Sequence, residues 1–383
     1  MSARGVVVGA LGTTQTLAWA SSYYLPAILA DDMAASAGVP RAWVFGAFSG
    51  ALLLTAVLGP WVGRTIDRRG GRGILAASNI VFAIGLAVLG ASNGMAVQGA
   101  AWVVLGIGMG LGLYDAAFAT LAGIYGREAR GPITGITLIA GFASTVGWPL
   151  SAFLDAEVGW RGACFVWAAM HIVIGLPLNL LLLPRSSGTT QHREQAKASW
   201  EPRREMILLA YVFAAAWFVT GAMAAHLPAL FEMMGATTVQ AVAAAALVGP
   251  AQVAARVAEF VIMRRIHPLV SARIAASLHP IGAAVIAAFG APAAVAFALL
   301  HGAGNGLLTI ARGTLPLALF GPVNYGARTG LLGAPSRAAQ AAAPLLFGLL
   351  IDAMGRWVFA VSAGLCLSAL AALFLLRASK TDV

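Results

Sequence analysis

The sequence predicts an all-α protein that crosses a membrane twelve times, as two pseudo-symmetric bundles of six helices. Three observations predict it. Of 383 residues, 60% are hydrophobic and only 10% are charged, and the mean hydropathy is +0.85; no soluble domain of this size keeps that balance, and apolar runs of about 20 residues, the length a helix needs to cross hydrocarbon, recur along the whole chain. The 24 Lys and Arg are placed by topology: all but six fall on one side of the alternating spans, three (Arg41, Arg161, Arg356) fall on the other side, and three (Arg256, Arg312, Arg337) fall inside helices. The halves also repeat. LPAIL at Leu25–Leu29 answers LPALF at Leu227–Phe231, and Gly131, Thr134, Gly135, Pro149, Leu150 and Leu154 recur in order and spacing as Gly326, Thr329, Gly330, Pro344, Leu345 and Leu349. A duplicated six-helix unit is what parallel repeats about an axis normal to the membrane produce.

Taken in order, apolar runs bounded by charges or Pro/Gly turns put the first six spans near residues 5–30, 42–63, 73–92, 95–125, 132–154 and 160–184. The first run carries Thr13 to Thr16 and Ser21 to Tyr24 and is too long for the apolar core of a signal peptide, so it is expected to remain as a span. Residues 185–204, with Arg185, Arg193, Lys197, Arg203 and Arg204 and a Ser-Ser-Gly-Thr-Thr run, read as a cytoplasmic linker between domains at 1–184 and 205–383. The second six follow near 205–234, 238–262, 269–290, 292–320, 329–352 and 356–377. Both termini then fall in the cytoplasm of a cell whose inner, or plasma, membrane holds the protein. The external loops carry Asp31, Asp32, Asp155, Glu157, Glu232 and Asp352 against three arginines, as the positive-inside rule requires.

Between the second and third spans lies Gly63 to Arg72, GRTIDRRGGR, expected to be a tight charged loop at the cytoplasmic surface because five charges cannot sit in hydrocarbon. The order Gly63, Asp67, Arg68, Gly70, Arg72 resembles the signature loop of the major facilitator superfamily (MFS) of secondary transporters. The resemblance extends over the whole chain, since span number, linker and internal repeat all fit. It implies an MFS fold, alternating access, and a conformational latch in which Asp67 pairs with Arg127 or Arg130 at the foot of the fourth span.

Ionisable groups inside a span cost at least roughly 2.5 kcal/mol on insertion scales, so each needs a partner, a wet cavity or a function. Glu259 and Arg312 read as parts of a cytoplasmic gate network, and Glu259 lies one turn from Arg264 and Arg265. Asp115, the only acid in the first-half spans away from their ends, is the candidate for proton coupling; the competing reading is a static ion pair with an arginine. Arg256 and Arg337 fall about four to six residues from mid-span, roughly 6 to 9 Å at 1.5 Å per residue. The repeat sets Phe142 where Arg337 stands, and a purely structural role would more naturally leave symmetric residues. Gln15, Tyr23 and Tyr24 in the first span, Asn305 in the tenth, and Gln340 one turn from Arg337 complete a candidate binding set, although each is individually more typical of helix glue or an interfacial anchor. His171, His226, His279 and His301 are also embedded and could carry protons.

These residues point to a secondary transporter for a small organic anion such as a monocarboxylate, working by proton symport or anion exchange. A basic residue in the eighth span and another in the eleventh resemble the oxalate/formate and monocarboxylate branch of the superfamily. The runner-up is a proton-coupled efflux pump for drugs or other toxic compounds, as an antiporter; the Gly147-Trp148-Pro149-Leu150-Ser151-Ala152 run keeps the proline of that branch's fifth-helix motif but not its following glycines. An enzyme is not expected, as there is no metal-binding His/Glu pattern, nucleophile elbow or CxxC, and no nucleotide-binding loop is present. Cys164 and Cys366 lie within apolar runs, so no disulfide framework, metal or cofactor is implied. The expected partners are the bilayer, the solute and protons, with no nucleic acid, and the protein is expected to be a monomer.

Overall fold

The computed structural model describes residues 3–185, 204–263 and 266–376. Most of the linker, together with Arg264, Arg265 and the chain ends, lies outside the described residues. By contact the chain separates into two compact units, Met1–Ser199 with Phe320–Ala334, and Trp200–Leu319 with Pro335–Val383.

In the first unit, α1 (Ala3–Ala18) passes through a wide π turn (Trp19–Tyr23) into α2 (Pro26–Ala37), which completes the first span. Then come α3 (Arg41–Arg69), α4 (Arg72–Gly90), α5 (Met95–Gly112), α6 (Tyr114–Tyr125), α7 (Arg130–Ile139) and α8 (Ala143–Met170). Two further π turns, His171–Gly175 and Leu178–Leu182, end the sixth span. Gly159 (φ 71°, ψ 165°) breaks α8 into the fifth and sixth spans, a backbone conformation that side chains with a Cβ rarely adopt.

The second unit holds α9 (Arg204–Met233), α10 (Thr238–Ala246), α11 (Val248–Val261), α12 (Pro268–Phe289), α13 (Ala294–Phe320), the later part of α14 (Tyr325–Met354) and α15 (Val358–Leu375). A capping box starts α10: Thr237 accepts the Gln240 N–H while the Gln240 side chain accepts the Thr237 N–H.

Eight continuous helical runs among the described residues are long and apolar enough to cross a membrane. One of them, Met95–Leu182, contains the fourth, fifth and sixth expected spans, and another, Tyr325–Leu375, contains the last two. The first span, made of α1, its π turn and α2, is not one of the eight. The twelve expected spans are therefore present, while their limits differ from the sequence reading. Helical structure reaches Ala37, so Asp31 and Asp32 are helical, as are Asp155 and Glu157. The charged hairpin is also much tighter than expected: α3 runs through Asp67 and Arg68 to Arg69 and α4 begins at Arg72, leaving only Gly70 and Gly71 between them. Gly70 makes the reversal with φ 79°.

Small residues set the helix spacing. A Cβ on Gly106 would lie 2.9 Å from Ala51 O, and one on Gly302 would lie 2.5 Å from Val248 O, so in both units the fourth helix of the repeat touches the backbone of the second. Large rings fill the interiors: Phe82, Trp102, Phe118 and Trp167 in the first unit, and Phe231, Phe297 and Phe347 in the second. Other apolar side chains point outward, such as Val57, Val173, Leu181 and Val239, each more than two-thirds exposed, as lipid-facing positions should be.

Gly302→Ala should destabilise the purified protein by about 1–3 kcal/mol, because the added methyl group meets backbone that cannot turn aside. Gly46→Ala, where nothing lies within 4 Å, should be neutral or stabilising by up to about 1 kcal/mol through helix propensity. Thermal unfolding of both variants in one detergent checks the contrast; equal midpoints would mean that the glycine contact does not set the packing.

Candidate functional site

In the second unit, four charged side chains are almost completely buried in apolar helices: Arg256 and Glu259 on α11, Arg312 on α13 and Arg337 on α14, with 2–6% exposure. Each is tied to groups of its own unit. Arg256 donates to Gln252 Oε1 and to Thr309 Oγ1, both at 3.4 Å, and Thr309 donates in turn to Asn305 O. Asn305 Oδ1 accepts from Thr220 at 3.3 Å, which links α13 to α9. Arg337 donates to Gln340 Oε1 at 3.3 Å, a pair one turn apart on α14. The Glu259 carboxylate accepts the Ser271 hydroxyl at 2.9 Å. The Arg312 guanidinium lies over the Trp217 ring, 4.7 Å from its centroid, where the face of the ring attracts a cation. The expectation that Glu259 works with Arg264 and Arg265 falls outside the described residues.

The first unit gathers the remaining candidates around two irregular helices. The fourth span breaks at Leu113 (φ −81°, ψ −174°), between α5 and α6. Gln15, 1% exposed, donates to Gly112 O at 2.5 Å, and so binds a carbonyl beside the break. Irregular backbone at membrane depth persists only where protein or a wet cavity satisfies it. Asp115 was expected away from helix ends; the structure instead places it in the first turn of α6, just beyond the break. Facing this region, the π turn of the first span carries Trp19 and Tyr23, and Tyr24 follows it. Trp19 lies 5.0 Å from Tyr23 and 4.9 Å from Tyr114, Tyr23 packs edge-on against Phe48, and Tyr24 packs against Trp148. Sequence reasoning named Gln15, Tyr23, Tyr24 and Asp115 but missed Trp19, Phe48 and Tyr114. The density of aromatic residues around Ser21 and Ser22 was the available signal.

The signature residues take a geometry that spacing alone could not give. Asp67 Oδ1 accepts the Gly326 N–H at 2.9 Å and Oδ2 accepts the Ala327 N–H at 2.8 Å. These amides belong to the first turn of α14, where N–H groups lack partners within the helix and the helix dipole favours an anion. The approach is close because Gly63 meets Gly326 and Gly59 meets Gly330; a Cβ on Gly63 would lie 1.9 Å from Gly326 O. Gly71 makes similar room for Thr120. Arg68 lies in the last turn of α3 and Arg72 starts α4, while Arg127 lies in the 3-10 turn that joins α6 to α7 and Arg130 starts α7.

Apolar spans, buried cations and helices broken at membrane depth define the class first: a polytopic membrane transporter. The family follows from comparison, since the chain matches the model of the Major Facilitator Superfamily over residues 7–300, and it belongs to that family. Its fold is similar to that of the human organic anion transporter MFSD10 (TETRAN), at 19% identity and a TM-score of 0.72 over 97% of this chain and 99% of that one. It is also similar to the proton:xylose symporter XylE, at 13% identity and a TM-score of 0.77 over 97% and 96% of the two chains. A third likeness is to the E. coli fucose:proton symporter FucP, at 13% identity and a TM-score of 0.73 over 96% and 98%. No curated protein sequence matches at a significant level. At these identities the likeness establishes the fold.

If the Asp67 carboxylate holds the start of α14, Asp67→Asn, which loses the charge and one acceptor oxygen, should speed hydrogen exchange at the Gly326 and Ala327 amides by about tenfold or more. Peptide-resolved exchange of the purified protein measures this, and unchanged rates would show that these bonds contribute nothing.

Proposed function

We propose that the protein is a secondary transporter, working by alternating access, for a small organic anion such as a monocarboxylate, with proton symport or anion exchange as its driving process. The observation that carries this reading is the burial of Arg256 and Arg337, at 6% and 4% exposure, within apolar helices. An arginine held at that depth costs free energy, and such residues mark solute paths by default. A guanidinium grips a carboxylate bidentately, and Arg256 and Arg337 each carry that planar fork of donors. Gln340 and Asn305 then orient the solute beside them. The asymmetry between the repeats, Arg337 against Phe142, supports a role in substrate chemistry. The name of the human structural relative, an organic anion transporter, agrees with this reading.

In this reading Gln15, Tyr23 and Tyr24 line the solute path in the first unit, and Asp115, at the broken helix, couples transport to protons. Gly63, Asp67, Arg68, Gly70, Arg72, Arg127, Arg130, Glu259 and Arg312 form the conformational latch. We place the protein in the inner membrane as a monomer with both termini in the cytoplasm. A second reading, proton-coupled efflux of toxic compounds, draws on the rings of Trp19, Tyr23 and Tyr114, which suit a flat or cationic solute.

The deciding experiment measures thermal stabilisation of the purified protein by a panel of carboxylates, sugars and organic cations, followed by uptake of the stabilising compounds into proteoliposomes with and without a pH gradient. Saturable carboxylate uptake is expected. Stabilisation by cations alone would favour efflux, and stabilisation by sugars alone would reject both readings.

Arg337→Ala should weaken binding of the stabilising anion by about 1.5–3 kcal/mol, the worth of a hydrogen bond to a charged group. Arg337→Lys should weaken it less, since it keeps the charge and loses the planar fork. Equal affinity in all three proteins would remove Arg337 from the site.

Asp115→Asn should abolish uptake driven by a pH gradient while sparing exchange of solute for solute, because only the first needs the group to gain and lose a proton. Loss or survival of both activities together would remove Asp115 from the coupling step.

A further inference from the structure

The transport reading leaves unused a fully buried imidazole, His171, at the start of the π turn His171–Gly175 that follows α8. Its two nitrogens have different partners, and those partners determine where its proton sits. On one side, Nδ1 lies 2.9 Å from Asn79 Oδ1. The Asn79 amide cannot be turned around, because its Nδ2 donates to Leu75 O at 2.8 Å; Oδ1 therefore faces the ring as an acceptor, and Nδ1 must carry a hydrogen. Gly175 makes room for this amide, since a Cβ there would fall 2.0 Å from Asn79 Oδ1.

On the other side, Nε2 lies 2.8 Å from Ser21 Oγ, and the same hydroxyl lies 2.8 Å from Leu17 O. A hydroxyl has one hydrogen and two acceptor positions. When the ring is neutral, Ser21 donates to Nε2. When Nε2 carries a proton, Ser21 accepts it and turns its own hydrogen to Leu17 O. Either state satisfies every nitrogen of the ring, and no heavy atom has to move. The added proton bonds to the Nε2 lone pair, nothing leaves, and the ring gains one positive charge. Phe82 stacks on the imidazole with centroids 4.8 Å apart, presenting the π face that attracts such a charge.

The second unit holds a related device in a pair of buried imidazoles, where the Ser362 hydroxyl lies 3.0 Å from both His279 Nε2 and Phe359 O. His279 Nδ1 faces His301 Nδ1 at 3.0 Å and His279 Nε2 faces Ser362. There a second imidazole, rather than a fixed amide, faces Nδ1, so the partners do not set the position of the ring hydrogens as they do at His171.

We propose that His171 is a proton-binding site of the first unit, switched by rotation of the Ser21 hydroxyl between the imidazole and Leu17 O. Ser21 sits in the same π turn as Trp19 and Tyr23, and π turns of this kind recur at functional sites. A shift of that turn would separate the hydroxyl from the ring and so change how firmly the proton is held. The site is separate from Asp115. Its use in coupling rests on the transport reading above, whereas its binding of a proton does not. The titratable groups on the elements packed against the ring are Arg4 on α1, Tyr23 in the π turn, Arg72 on α4, and Asp155, Glu157, Arg161 and Cys164 on α8.

The test is a titration of the full-length protein labelled with 15N-histidine, reading the ring nitrogens by long-range 1H–15N spectroscopy from about pH 8 to about pH 5. The His171 signal is identified by its loss in His171→Gln, or by its contacts to Phe82 if that variant does not accumulate. At high pH the ring should be neutral with its hydrogen on Nδ1, and within the range it should become doubly protonated. Ser21→Ala, which removes the acceptor for the added N–H, should lower the midpoint by about one pH unit or more, and Ser21→Thr should restore it. A ring that stays neutral to the lowest pH at which the protein is folded, a neutral form with its hydrogen on Nε2, or a midpoint indifferent to Ser21→Ala would each overturn the proposal. No solute enters the measurement, so failure of the anion-transport reading would leave its result intact.

Discussion

A polar group inside hydrocarbon has to find its partner within the protein, and nearly every distinctive feature of this structure follows from that constraint. In water an unpaired amide or guanidinium costs little, because solvent completes its bonds. Here Gln15 turns inward to the Gly112 carbonyl beside the broken fourth span, Glu259 takes the Ser271 hydroxyl, and Arg312 lies on the face of Trp217. The hydroxyls of Thr13, Ser21, Ser22, Thr120 and Thr314 fold back onto carbonyls of the preceding turn. The first three contacts tie one helix to another, whereas these hydroxyls are satisfied within their own helix.

The same constraint explains where regular structure fails. A π turn or a break releases backbone groups that regular helix would pair, and such groups survive only next to something that can use them. The π turn Trp19–Tyr23, the π turn His171–Gly175 and the break at Leu113 all lie in the first unit, beside its buried polar side chains and its densest cluster of rings. Glycine complements this by permitting contact. Where Gly106 meets Ala51, Gly302 meets Val248 and Gly63 meets Gly326, helices approach to backbone distance. The last of these contacts lets a short aspartate side chain reach two amides of another helix.

The repeats show which positions are constrained by packing and which are free to specialise. Gly106 and Gly302 perform the same task in the two units, and the residue just before each is Leu105 in one and His301 in the other, both buried. An apolar side chain therefore satisfies the fold at that place. Histidine there, like Arg337 opposite Phe142, is a departure that packing did not require.

The sequence by itself determined the class and the architecture, because hydropathy, charge placement and duplication are properties of composition and order. It determined twelve spans, the reversal at Gly70, and the embedding of Arg256, Arg312, Arg337 and Glu259, since an ionisable residue in an apolar run has nowhere else to go. The partners were decided only by the tertiary structure. The family resemblance implied an arginine for Asp67; that the same carboxylate also takes the first amides of α14, more than 250 residues away along the chain, came only with the fold. Asp115 read as a mid-helix acid, and the break at Leu113 made it a helix start. Nothing near Ser21 in sequence announces His171, which comes from the sixth span to meet it, or Asn79 of the third span, which meets the other side of that ring. The physical reason is common to all three cases: burial is dictated by a residue's own chemistry and its immediate neighbours, whereas a hydrogen-bond partner across helices depends on rotation and depth, which packing of the whole unit sets.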